Sequence, residues 1–87
     1  MEVLQEVDLG QGHKVEFGNS SWDPASESIR NRYPTASGGF SPHSSSELPI
    51  EDLEPLVVEA ARRDKLGIRA AAQMIAALSA SIGRQVP

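Results

Sequence analysis

Residues 51–84 read EDLEPLVVEAARRDKLGIRAAAQMIAALSASIGR. Apolar residues recur in this stretch at helical spacing. They fall first at Leu53, Leu56, Val57, Ala60 and Ala61, then at Ile68, Ala71, Ala72, Ile75, Leu78 and Ile82. A period near 3.6 predicts two amphipathic helices, with Asp64–Gly67 as the break between them. Ile68, Ile75 and Ile82 lie seven apart, and Ala71 and Leu78 fill the alternate positions, as in a short heptad seam.

The ends of both helices carry their own signals. Glu51, Asp52 and Glu54 put negative charge at the positive end of the first helix, and Arg62, Arg63 and Lys65 gather at its negative end. Pro55 lacks a backbone donor, so a turn at Glu51–Leu53 is expected before the regular helix takes over. Gly67 suits a terminator or an N-cap for the second helix. That helix, Ile68–Arg84, spans about 25 Å at 1.5 Å per residue. Ala72, Ala76 and Ala80 form a line of small residues that lets another element approach closely. The residues expected to mediate self-association are therefore Ile68, Ala72, Ile75, Ala76, Leu78 and Ile82, against the plainer reading that they pack within the chain.

Upstream the period changes. Glu2–Leu9 alternates, with Val3, Val7 and Leu9 on one face and Leu4, Glu6 and Asp8 on the other. His13–Phe17 alternates again after Gly10-Gln11-Gly12. Two period-two runs around a Gly-containing loop predict a β-hairpin with one buried face. Gly18–Pro24 has turn composition, and Trp22 within it is expected to cap the open end of a small core. Ser26–Tyr33 reads as a third strand, with Ile29 and Tyr33 on one face and Arg30 and Arg32 on the other. Pro34 ends its regular pairing. Thr35–Gly39 reads as a turn, and Phe40–Ile50 as a fourth extended segment closing on Leu48 and Ile50.

The 87 residues therefore predict a single α+β domain: an antiparallel sheet of three or four strands over 1–50, followed by two C-terminal helices as a helical hairpin over 51–84. Folding hides only about 60% of the unfolded surface at this size. With no cysteine, neither disulfides nor thiolate metal sites add stability. A homodimer is the expected remedy. No run approaches the roughly 18 apolar residues of a membrane span, and the acidic, alternating N-terminus is unlike a signal peptide, so a cytoplasmic protein without membrane contact is expected.

The net charge of −4 lies wholly in residues 1–50, where Lys14, Arg30 and Arg32 face seven acids; residues 51–87 hold five bases and five acids. An acidic half argues against phosphate contacts and suits a basic protein partner, although a solvated acidic face is the plainer reading and ranks ahead of it. No GxSxG, P-loop or HExxH motif occurs. His43, Ser44–Ser46 and Asp23 have no spacing that specifies a nucleophile set, and His13, alternating with Val15 and Phe17, reads as a satisfied, partly buried residue. No catalytic, cofactor or metal residues are assigned, and a hydrolase ranks last.

One resemblance is carried by element order: the hairpin, Ile29-Arg30-Asn31-Arg32-Tyr33, Gly38-Gly39, Ser46-Glu47-Leu48-Pro49, then the helix at Leu53–Arg63. Over residues 3–63 this order resembles the positive cofactor four family of transcriptional coactivators. The resemblance implies a four-stranded antiparallel sheet, dimerisation and single-stranded nucleic-acid binding on the sheet, with Arg30, Arg32 and Tyr33 as the contacts. The chain departs from the family in lacking lysine-rich strands and in adding a second helix. The function expected first is a small acidic, non-enzymatic binding or regulatory protein, such as an adaptor or an inhibitor of a basic partner. A single-stranded nucleic-acid binder is the alternative.

Overall fold

A computed structural model describes the backbone of residues 1–34 and 40–87, and the side chains of 1–34 and 46–87. Four strands, β1 (Glu2–Gly10), β2 (His13–Asn19), β3 (Glu27–Pro34) and β4 (Phe40–Pro49), form one antiparallel sheet in the order β1-β2-β3-β4. A single 3₁₀ turn at Ile50–Asp52 follows, then α1 (Leu53–Arg62) and α2 (Ile68–Gln85). The chain is thus α+β, with the sheet and helices in the expected order. It divides into two units, Met1–Leu53 and Glu54–Pro87. The expected turn at Thr35–Gly39 lies outside the described residues.

The hairpin turn is tight because Gly10, Gln11 and Gly12 all take positive φ, at 95°, 55° and 81°. Glycine reaches that region without a Cβ penalty, and Asp8 Oδ1 accepts from the Gly10 N–H at 2.7 Å. Lys14 faces Arg32, Glu16 faces Arg30 and Phe17 faces Ile29 in the β2–β3 register, while Ile29 faces Leu48 in β3–β4.

Two features differ from the simple alternation. First, the β1–β2 register shifts between Val3 and Gln5, so Val3 faces Gly18 while Val7 faces Val15. Leu4 falls at this irregularity, and Val3 leaves the face that Val7 shares with Phe17. A Cβ at Gly18 would overlap the Glu2 carbonyl, so a glycine there is what lets β1 approach. Second, the apolar sheet face is only partly covered. Val15, Phe17, Ile29 and Leu48 are half-buried, and all of β1 is exposed rather than contributing a buried face. Among the described residues no apolar side chain is fully buried; the most buried side chains are Glu16, Ser20 and Ser28. Trp22 is 52% exposed and does not cap a core. Within its loop, Ser20 N–H donates to the Ser26 carbonyl and Ser26 N–H to the Asp23 carbonyl.

In the helical unit, Pro55 falls in the first turn of α1, where its missing N–H would have had no helical partner. Asp64, at φ 55°, closes the end of that helix in the left-handed region, a role that short polar residues tolerate. Gly67 is the N-cap of α2, with extended backbone and its carbonyl accepting from the Ala71 N–H. Glu59 on α1 pairs with Arg62, the last residue of that helix, and with Arg63 just after it. Neither helix has a buried residue.

Candidate functional site

Two surfaces stand out, one on each unit. The sheet has a charged face and a mixed apolar face because side chains alternate along each strand. Glu6, Asp8, Lys14, Glu16, Gly18, Ser28, Arg30, Arg32 and Glu47 share the charged face by register. Glu16 lies at its centre with 1% of its surface exposed. One carboxylate oxygen accepts from Arg30 Nε at 2.7 Å and the other from Arg32 Nη1 at 3.3 Å. Burial pushes the Glu16 carboxyl up, but the bonds and charges of Arg30 and Arg32 outweigh it and hold the group below its ordinary value.

Glu47 makes a second fixed point. It accepts from the Ser21 N–H, the Ser21 hydroxyl and the Ser28 hydroxyl, each at 3.0 Å. These bonds fasten the loop between β2 and β3 to β4. Burial again raises the carboxyl, and the three donors bring it below its ordinary value. At the β1 edge, Lys14 Nζ meets Glu6 Oε1 at 2.8 Å. On this face three cations meet four acids, so the arginines serve an internal network instead of building a positive surface.

Tyr33 belongs to the opposite face. Its ring stacks on His13, with centroids 4.6 Å apart and planes 12° from parallel. His13 Nε2 lies 2.5 Å from Asn31 Oδ1, so this histidine is partly buried and satisfied by a neighbour. The structure therefore separates the three residues carried over from the family resemblance. Arg30 and Arg32 sit together on Glu16, and Tyr33 lies across the sheet from them. The network around Glu16 and Glu47 was not found from sequence. The signal that would have found it is Glu16 alternating in phase with Arg30 and Arg32 once the hairpin register is known.

The second surface is the α2 stripe. Ile68 is 93% exposed, Ile75 68%, Leu78 58% and Ile82 61%. Ala72 and Ala76 are exposed beside them. All six residues singled out for self-association thus lie open on one helix.

Among the described residues no three His, Asp or Glu side chains come together as a metal site requires. No helix among them is long and apolar enough to cross a membrane. No protein-family model, curated protein or solved structure matches the chain.

Proposed function

We propose that this chain is a small, non-enzymatic binding or regulatory protein that acts through contacts with macromolecules, and that the sheet unit docks a basic protein. The observation that carries the reading is β1. It is an edge strand, exposed at all nine residues, with Glu2, Glu6 and Asp8 and no base. Val3, Leu4, Val7 and Leu9 are 38–64% exposed between those acids. An acidic strand with open backbone groups and apolar side chains suits addition of a basic strand from a partner. Such a protein would act as an adaptor, or as an inhibitor covering a basic functional surface.

The test is capture on the immobilised chain from a cell lysate at low and moderate salt, with a Glu6→Lys/Asp8→Lys variant alongside. The expected result is retention of basic proteins that weakens with salt and is lost in the variant. Retention unchanged by salt and by charge reversal would sink the reading.

A single-stranded nucleic-acid binder ranks second. The His13–Tyr33 ring stack favours it, because exposed aromatic faces accept bases. The commitment of Arg30 and Arg32 to Glu16 counts against it.

A further inference from the structure

The apolar residues of α2 follow a heptad with Ile68, Ile75 and Ile82 at its first positions and Ala71 and Leu78 at its fourth, and the polar Gln85 takes the last fourth position. The flanks of that seam are Ala72 and Ser79 on one side and Met74 and Ser81 on the other, all uncharged. Arg69 and Arg84 are the helix's charged residues, and both fall outside seam and flanks. Two copies of this helix therefore meet without opposing like charges. Water faces a hydrophobic stripe about 27 Å long, 18 residues at 1.5 Å each.

We infer that α2 pairs with α2 of a second copy, and that the two run antiparallel. Side-chain volume sets the direction. In a parallel pair each residue meets itself, so Ala71 meets Ala71 while Ile75 meets Ile75 one layer on. The alanine layer would be hollow or the isoleucine layer crowded. In an antiparallel pair Ile75 meets Leu78, Ile82 meets Ala71 and Ile68 meets Gln85. The four inner layers then each hold one isoleucine with a leucine or an alanine, and the polar Gln85 falls at the ends, where water reaches it. Reversal also sets each helix end against the opposite dipole end of its neighbour. The seam and its flanks hold ten residues per side, at most half of the roughly 20–30 of a standard interface, so the dimer is expected in the micromolar range.

This pairing uses a different unit from β1 and stands apart from the docking of a basic partner. Sedimentation equilibrium of the whole chain up to about 1 mM tests it, with a dissociation constant of about 10 µM expected. Ile75→Asp places a charge in the seam and should weaken the dimer about 100-fold or more. Ala77→Asp, on the outer side, should leave it unchanged, and circular dichroism checks that both variants keep their helices. The absence of cysteine makes direction readable by disulfide trapping. In the antiparallel pair two Gln85→Cys chains hold their thiols about 25 Å apart and stay reduced, whereas Gln85→Cys mixed with Ile68→Cys forms the heterodisulfide. A monomer up to about 1 mM overturns the pairing, as does equal weakening by Ile75→Asp and Ala77→Asp. A Gln85→Cys homodisulfide overturns the direction. A monomer that still retains basic proteins through β1 would sink this inference alone.

Discussion

Glu16 and Arg30 face each other across the β2–β3 pair, and the arginine Nε donates to the carboxylate at 2.7 Å in a position where Glu16 is 1% exposed. Arg32 closes on the other oxygen. A buried charge is tolerable only with such partners, so this face of the sheet depends on the triad staying whole.

Glu16→Ala is accordingly expected to cost about 3 kcal/mol at neutral pH, since removing one member of a buried ion pair is worse than never having built it. Urea titration measures the loss, and a change under about 0.5 kcal/mol would place Glu16 among ordinary surface groups.

The same carboxylate sets an acid limit. Glu16 is depressed below its ordinary value of 4.5, so the native sheet binds fewer protons there than the unfolded chain. Its contribution is complete above about pH 4.5 and is lost as pH falls through the lower native value. Glu47 is depressed likewise and adds to the same trend. Stability should therefore fall below pH 4.5, and the Glu16→Ala chain should fall less steeply. Parallel curves for the two chains would contradict the assignment.

Gly18→Ala should lower stability by about 2 kcal/mol or more, because the new methyl meets the Glu2 carbonyl and β1 must move off β2. Amide exchange should show the damage first in β1. Uniform loss of protection across the sheet would contradict a local clash.

Glu47→Ala removes the acceptor of Ser28, whose surface is fully buried, and frees the loop carrying Trp22. A buried hydroxyl without a partner costs about 1–3 kcal/mol. Trp22 anisotropy should drop as its loop loosens, and Glu47→Gln should recover part of both effects. Unchanged anisotropy in Glu47→Ala would show that the loop holds itself.

For nucleic acid, a labelled single-stranded oligonucleotide should show no anisotropy change at about 0.15 M salt. Arg30→Ala with Arg32→Ala should instead lower the unfolding midpoint, because these side chains hold Glu16. Micromolar, salt-dependent binding lost in the double variant would reverse the order of the two functional readings.

The local signals proved easy to read where one rule governs the chain. Gly10-Gln11-Gly12 turns the hairpin because glycine takes positive φ, and Gly67 opens α2 because its extended backbone frees a carbonyl for the Ala71 N–H. The 3₁₀ turn falls at Ile50–Asp52, one residue ahead of its expected place, since Pro55 needs only to lie in the first helical turn. Trp22 misled, because bulk in a short loop says nothing about whether a core lies beneath it. The alternation that sets Tyr33 on the face opposite Arg30 and Arg32 was readable from the sequence; that the two arginines close on Glu16 was not.

By itself the sequence determined the element order, the period of each segment, the uneven charge and the heptad of α2, all of which follow from local backbone preference and side-chain spacing. Only the tertiary structure decided that Glu16 is buried with two arginines, that Glu47 ties the Trp22 loop to β4, and that the bulge at Leu4 turns Val3 away from Val7. Those outcomes depend on strand register, and register is set by contacts between residues far apart in the chain, such as Gly18 against Glu2.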